Sequence, residues 1–287
     1  MKRSHVIAGV VIVGLTTGLA AALLPPLRTA IGIASPDSAS FAASENMFAA
    51  EFAGMAPAAA LEQSAGLVRT PASGGWSGAV YAEPADDCRG RGIYLFRQPP
   101  ATALAITAPH RGSDRHTGTI AARLFLETGA AAAGWNSAPR YPTETCPHAL
   151  DLAREPGHAF TAFATAFARR FPEGRIIQLH GFDRARRDTK AMRDAAVILS
   201  DGTMTPGSVL LDLADCLSVT LDPLPVLVFP HEAGELGALR NAQGEALRGM
   251  GFDGFAHIEM SLELRGRLAG DSRLRQRFAQ CLAGPAA

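Results

Sequence analysis

From Trp76 onwards, short apolar runs alternate with stretches whose apolar residues recur every three or four positions. Short apolar runs bounded by turn formers are typical of buried strands, and the longer period is typical of helices packed on a sheet. The predicted strands are 92–96, 103–107, 175–179, 195–199, 226–229 and 256–260. The predicted helices are 117–127, 159–171 and 206–217. This alternation predicts an α/β fold with a mostly parallel sheet and helices on both faces.

The first 75 residues follow a different pattern. Lys2 and Arg3 precede an apolar run over residues 6–24, which is the layout of an export signal. At about 1.5 Å per residue this run nearly spans a hydrocarbon core of about 30 Å, so both a cleaved signal and a membrane tether fit it. Residues 27–75 are rich in Ala, Ser, Pro and Gly, with one short helix pattern at 45–53, and predict a linker. The predicted organisation is a signal peptide or membrane anchor at 1–26, a linker at 27–75 and an α/β domain at 76–287.

Charge and cysteine content narrow the cellular context. The 27 basic and 27 acidic residues cancel, so the chain has no long-range field to attract nucleic acid. The cysteines are Cys88, Cys146, Cys216 and Cys281, and none forms the Cys-x-x-Cys pair of a thiolate zinc site. In an exported chain they predict two disulfides rather than four buried thiols, and among three connectivities sequential pairing is preferred. We therefore expect a periplasmic or extracytoplasmic protein, either secreted or anchored.

Metal-capable side chains follow several predicted strands. His110 and Asp114 lie in the loop after the second strand, and His180 ends the third. In parallel sheets such strand ends meet at one edge, where ligands bind. Catalytic zinc takes about three protein ligands, mostly imidazole and carboxylate, and keeps one position for water. The sequence thus predicts a zinc site of His110, Asp114 and His180, with His116 as an alternative to Asp114. The competing interpretation is a hydrogen-bonded loop in which Asp114 caps the helix that begins near Thr117.

Three segments of the chain resemble a group of families: the loop around His110, the Gln-Leu-His-Gly-Phe string at 178–182 and the string from His257 to Arg265. These are the zinc carboxypeptidases, the N-formylglutamate amidohydrolases and the poly-gamma-glutamate hydrolases. The resemblance implies a phosphorylase/hydrolase-like fold, and it implies that Glu259 is the catalytic carboxylate. In the carboxypeptidase motif the first carboxylate stands three residues after the His, whereas here that position is Ser113.

The same resemblance makes Asn136 and Arg140 candidates for binding a substrate carboxylate. Arg140 and Arg111 can each contact a carboxylate with two N–H groups, and an arginine beside the metal would stabilise an oxyanion. The expected substrate is therefore a small peptide or an acyl amino acid with a free carboxylate.

The sequence as a whole predicts an exported zinc-dependent amidohydrolase or carboxypeptidase-like peptidase. It would cleave an amide bond in a peptide, a peptidoglycan fragment or an N-acyl amino acid, with Glu259 as general base toward a zinc-activated water. The alternative is a non-catalytic envelope protein that keeps the fold for binding or scaffolding, with structural histidines. The sequence contains no Gly-x-Ser-x-Gly elbow, Walker loop or dinucleotide fingerprint, so it lacks the motifs of serine hydrolases, NTPases and Rossmann oxidoreductases.

Overall fold

The computed structural model of the protein describes residues 38–72, 74–84, 86–147 and 150–284. The strands are β1 (Val68–Pro71), β2 (Gly78–Ala82), β3 (Ile93–Arg97), β4 (Thr102–Ala108), β5 (Ala130–Trp135), β6 (Arg175–Phe182), β7 (Val197–Ser200), β8 (Val226–Val228) and β9 (Phe255–Ser261). The α-helices are α1 (Ser38–Phe52), α2 (Ala59–Ala65), α3 (Thr117–Thr128), α4 (Ala159–Arg170), α5 (Lys190–Asp194), α6 (Ser208–Leu221), α7 (Ala242–Gly249), α8 (Leu262–Gly270) and α9 (Ser272–Ala283). Two short 3₁₀ helices lie at Leu152–Arg154 and Arg184–Arg186.

These strands form one mixed sheet in the order β1-β2-β3-β5-β4-β6-β9-β7-β8. The central strands β5, β4, β6 and β9 are parallel neighbours. Toward one edge, β1, β2, β3 and β5 pair antiparallel, and on the other side β7 runs antiparallel to β9. Parallel pairing is thus confined to the centre and to the β7–β8 pair. Short loops without a crossover helix join β1 to β2 and β2 to β3, and such connections permit only antiparallel neighbours.

Helices cover both faces of the sheet, which confirms the predicted α/β fold. Adjacent residues of a strand point to opposite faces, so Ile106 and Ile177 pack on one side and Ala105 and Ile176 on the other. The first side is covered by α3, α6, α8 and α9. The second is covered by α1, α4 and α7, and its core includes the phenylalanine face of α4.

Part of the predicted linker is folded. Residues 38–52 form α1, whose Met47 and Phe48 are fully buried against the sheet. The buried Glu51 carboxylate accepts hydrogen bonds from Tyr81 Oη at 2.8 Å and Arg69 Nε at 3.0 Å. The linker expectation therefore fails for the segment from α1 to β1, because a few large side chains among many alanines suffice to bury one helix face. The predicted signal or anchor at 1–26 lies outside the described residues.

Two disulfides join Cys88 to Cys146 and Cys216 to Cys281. The sequential pairing expected from the sequence is confirmed. Disulfides of this kind are typical of extracytoplasmic proteins, because reducing compartments keep thiols free. Across the described ranges, no helix has both the length and the apolar character needed to cross a bilayer.

Candidate metal centre

The candidate site lies where the central parallel strands end. The next strand after β4 in the chain, β5, pairs with β4 on one side, and the strand after that, β6, pairs with β4 on its other side. Such a reversal opens a crevice at the carboxyl ends of the strands, where open α/β sheets bind ligands. His110 follows β4 and His180 lies in β6, so the two histidines flank this crevice. In β9, Glu259 pairs in register with His180.

Three buried side chains converge in the crevice. Asp114 Oδ2 lies 3.5 Å from His110 Nδ1 and 3.5 Å from His180 Nδ1. The imidazole rings of the two histidines meet edge to face, with their centroids 4.9 Å apart. The Asp114 carboxylate is itself fixed by the Gly181 N–H, which donates to Oδ2 at 3.1 Å. Ligand atoms of all three residues lie within 4.8 Å of one another, so together they could hold a metal ion.

The proton positions on His110 explain why a cation fits there. His110 Nε2 lies 2.6 Å from Asp151 Oδ1, and an ionised carboxylate only accepts hydrogen bonds, so Nε2 carries the proton. In the neutral ring Nδ1 then has a lone pair, and this buried atom has no hydrogen-bond partner. Its neighbour Asp114 Oδ2 is also an acceptor. A buried lone pair facing a carboxylate oxygen is unfavourable unless a proton or a metal ion lies between them. Burial lowers the pKa of His110, but Asp114 and Asp151 outweigh it and raise that pKa, so both atoms favour a positive charge at this point.

Asp151 is a site residue that the sequence reasoning missed. Its Oδ1 accepts from His110, and its Oδ2 accepts from Arg140 Nη2 at 2.7 Å. Arg140 thus reaches the site, but one of its nitrogens orients Asp151. Little in the sequence indicates this role, since Asp151 is one of many acidic residues and lies in a loop with no motif around it.

A second group of ligand-type side chains lies beside the first. His180, His257 and Glu259 also have candidate ligand atoms within 4.8 Å of one another. The His257 ring stacks on His180 with centroids 4.3 Å apart, and His257 Nε2 lies 3.8 Å from Glu259 Oε1. His257 was missed by the sequence reasoning, although its spacing of two from Glu259 places both on one face of β9. His257 Nδ1 and Glu259 Oε2 are buried without hydrogen-bond partners.

Burial controls the protonation of these groups. It lowers the pKa of His180 to about 4, and it lowers the pKa of His257 well below the usual imidazole value. Both rings are therefore neutral at pH 7 and available as ligands. Burial, followed by the charge of Asp114, raises the pKa of Glu259 to about 8. A nearby cation would oppose this last shift, because it favours the ionised carboxylate.

A cavity of about 520 Å³ opens onto the site. This volume suits a small molecule or the end of a peptide. Its wall includes both ligand groups, and five arginines also line it: Arg140, Arg154, Arg186, Arg187 and Arg240. Arg187 forms an ion pair with Glu235, so the guanidinium groups around the opening are partly neutralised. The wall is rich in hydrogen-bond donors for an anionic group.

Two predicted substrate-binding residues do not line the cavity. Asn136 is buried and uses its amide within the protein: Oδ1 accepts from Arg111 N at 3.0 Å, and Nδ2 donates to the Ala138 carbonyl at 2.5 Å. It therefore fixes the loop that carries His110. The Arg111 side chain packs against Gly118 at the start of α3, away from the cavity.

The structure also distinguishes between Asp114 and His116, the two candidates for the third ligand. His116 is half-buried at the start of α3 and does not join either ligand group. The Asp114 carboxylate does not cap α3, since Thr117 N and Oγ1 bond to the Asp114 backbone carbonyl instead. Asp114 therefore lies beside His110 and His180, and it is the residue that the sequence analysis favoured over His116 as the third ligand.

No family model matches the chain, and no curated protein matches it. Among solved structures, a metallo-carboxypeptidase from Burkholderia cenocepacia is 12% identical, with 82% of this chain and 66% of that chain covered and a TM-score of 0.41. An N-formylglutamate amidohydrolase from Ralstonia eutropha JMP134 is also 12% identical, with 67% and 95% covered and a TM-score of 0.41. This chain thus spans less than two thirds of the first protein. The two proteins bear the names of two families that the sequence resembles.

Proposed function

We propose that this protein is an exported zinc-dependent hydrolase that cleaves an amide bond next to a carboxylate-bearing group. The observation that carries the proposal is the convergence of His110, Asp114 and His180 in the crevice, with the unpaired Glu259 carboxylate beside them. A purely structural cluster would pair its buried polar atoms with one another, and this one leaves several unpaired.

The donor set fits zinc. Two imidazoles and one carboxylate are usual ligands of catalytic zinc, which keeps a further position for water. Ligands about 2.0–2.1 Å from one tetrahedral zinc lie roughly 3.4 Å apart, and Asp114 Oδ2 is 3.5 Å from each histidine Nδ1. Bound there, zinc would supply Lewis-acid polarisation of a carbonyl and would lower the pKa of water toward neutrality. His257 lies close enough to His180 and Glu259 to serve as a further zinc ligand or to orient the Glu259 carboxylate.

Glu259 is the proposed general base. Glu259 lines the cavity, and its buried Oε2 atom has no hydrogen-bond partner, so this oxygen is free to accept a proton from the attacking water. Its Oε1 atom lies 3.8 Å from His257 Nε2. The same Oε2 would then deliver the proton to the leaving amine, since the group that takes the proton lies beside the scissile bond.

The arginines of the cavity are the proposed partners of the substrate. Arg140 keeps nitrogens that Asp151 does not use, and it lies near enough to the ligands to stabilise an oxyanion. Arg154, Arg186 and Arg240 line the cavity at exposed positions. A free carboxylate on a peptide, a peptidoglycan fragment or an N-acyl amino acid would bind among them through paired N–H groups.

Metal analysis and hydrolysis assays on the purified full chain test the proposal. We expect about one zinc per chain and hydrolysis of a panel of short peptides and N-acyl amino acids. His180→Ala should lose the zinc, whereas His231→Ala, at an exposed position outside the cavity, should keep it. Glu259→Gln should keep the zinc and lose about 10²- to 10⁴-fold in rate, with the exposed Glu263→Gln as its matched control.

Three outcomes count against the proposal in different ways. Full zinc content in His180→Ala would contradict the metal centre. Undiminished hydrolysis by Glu259→Gln would contradict the general base while leaving the metal centre intact. Stoichiometric zinc without hydrolysis of any panel member would favour a binding or scaffolding protein.

A further inference from the structure

A chain of buried amide side chains connects His180 to a backbone carbonyl. His180 Nε2 lies 2.9 Å from Gln178 Oε1, on the side of the ring away from Asp114. Gln178 Nε2 donates to Gln243 Oε1 at 3.0 Å, and Gln243 Nε2 donates to the Leu152 carbonyl at 2.9 Å. Gln178 and Gln243 are each 1% exposed, so water does not replace these contacts.

The Leu152 carbonyl fixes the orientation of both glutamines. A carbonyl oxygen only accepts hydrogen bonds, so Gln243 must present its nitrogen to Leu152 and its oxygen to Gln178. That oxygen is again only an acceptor, so Gln178 must present its nitrogen to Gln243. The Gln178 oxygen is thereby left facing His180.

A second backbone group, the Gly244 N–H, requires the same orientation of the Gln178 amide through Asn241. It stands just before α7, and its Oδ1 accepts from the Gly244 N–H at 2.9 Å as the helix cap. A backbone N–H only donates, so the Asn241 nitrogen must point the other way. That nitrogen lies 2.5 Å from Gln178 Oε1. Two independent backbone groups therefore assign the oxygen of Gln178 to the side of His180.

We propose that Gln178, Asn241 and Gln243, here called the amide relay, set the tautomer of His180. Because the Gln178 oxygen can only accept, His180 Nε2 carries the proton and Nδ1 keeps a lone pair toward Asp114. The amide relay thus makes Nδ1 a ready metal ligand before any ion arrives. Its three members are positioning residues, and the inference rests on the proposed metal centre.

The opposite tautomer would disturb every link of the amide relay. It would place a lone pair of His180 Nε2 against Gln178 Oε1 and an N–H where the ion binds. Rotating the Gln178 amide to relieve this would put two oxygens together at Gln243. Rotating Gln243 in turn would place its oxygen against the Leu152 carbonyl. Each such contact leaves buried polar groups unpaired, which is costly.

Asn241→Asp is the decisive variant. It keeps an oxygen for the Gly244 N–H, and aspartate is as good a helix cap as asparagine. It replaces the donor facing Gln178 with an acceptor, so it attacks the amide relay and spares the fold. We expect zinc affinity, measured by competition with a chromophoric chelator, to fall by about 10- to 100-fold. Gln276→Glu makes the same amide-to-acid exchange at an exposed position on α9 and should leave the affinity unchanged.

Nitrogen NMR of the metal-free full chain reads the tautomer directly. The unmutated protein and Gln276→Glu should show His180 protonated at Nε2, and Asn241→Asp should lose this preference. A proton on Nδ1 in the unmutated protein would overturn the proposal, and this measurement stands even if the variant does not fold. So would a folded Asn241→Asp protein with undiminished zinc affinity. Neither readout uses hydrolysis, so failure of the proposed reaction would leave both results interpretable.

Discussion

Replacing Phe48 with alanine tests whether α1 belongs to the folded domain. The phenyl ring is 0% exposed, and its centroid lies 4.7 Å from that of Tyr94, 5.5 Å from Phe96 and 5.8 Å from Phe163. In the linker that the composition predicts, this side chain would be solvated and its removal would cost nothing. In the structure it is an anchor between the sheet and α4.

The expected cost follows from this burial. Truncating a buried phenylalanine to alanine costs about 3–5 kcal/mol, which combines the lost transfer free energy with the cavity left behind. The ring touches several aromatic neighbours, each of which adds about 0.5–1.5 kcal/mol beyond area burial, so a value near 4 kcal/mol is expected. In a domain of this size that corresponds to a drop in Tm of roughly 10 °C.

Urea unfolding followed by circular dichroism measures this cost, with the slope of the transition checked against the unmutated chain. Phe48→Leu keeps most of the volume and should cost less than about 1.5 kcal/mol. Ala49→Ser, at the next and exposed position of α1, should stay within about 0.5 kcal/mol. If Phe48→Ala also stayed below about 0.5 kcal/mol, α1 would not be docked as described and the reasoning would be refuted.

Three further outcomes are expected. His158 Nδ1 accepts from Phe160 N at 3.0 Å as the cap of α4, and burial lowers its pKa to about 4. Because the unfolded chain takes up this proton near pH 6.5, the free energy of unfolding should fall as pH drops from about 6.5 to 4, by about 2 kcal/mol at pH 5. His158→Asn keeps an acceptor for the cap and should lose this part of the pH dependence, measured by urea unfolding at pH 7 and at pH 5. If the free energy of unfolding fell equally between these pH values in the variant and the unmutated protein, the assignment to His158 would be wrong. Replacing Cys216 and Cys281 together with serine opens a link across 65 residues and should cost about 4 kcal/mol in urea unfolding, whereas an unchanged midpoint would argue against the bond. Dialysis against a chelator should lower the free energy of unfolding by about 3 kcal/mol if free zinc had been near 100 times its Kd, with recovery on adding zinc; an unchanged Tm would contradict a bound ion.

The apolar pattern predicted the central sheet well and its margins poorly. The strands β4, β6 and β9 each contain large apolar residues such as Ile106, Ile177 and Ile258, and each was located within a few positions. β5 was missed because its sequence is Ala-Ala-Ala-Ala-Gly-Trp, and alanine favours helices when isolated. Tertiary structure overrides that preference, since β5 pairs with β3 on one side and with β4 on the other, and all six of its residues are buried.

The antiparallel strands β1 and β2 escaped detection for a related reason. Both are short and contain glycine, alanine or proline, so neither gives a clear alternation of apolar and polar residues. Their place in the sheet depends on contacts with partners far along the chain, such as α1, whose Glu51 accepts from Tyr81 of β2. A pattern read within a short window does not contain such contacts.

The ligand candidates were visible in the sequence because few residue types bind zinc and because parallel strand ends meet at one edge. That reasoning selected His110, Asp114 and His180 as candidates, and the family resemblance added Glu259. It could not locate Asp151 or the amide relay, since an acid or an amide has many uses and no distinctive spacing. Asn241 and Gln243 lie 63 and 65 residues from Gln178 in the chain, and only the fold joins them. Residue type limits which side chains can bind the ion, whereas geometry alone decides which side chains orient them, so the orienting residues are found only in three dimensions.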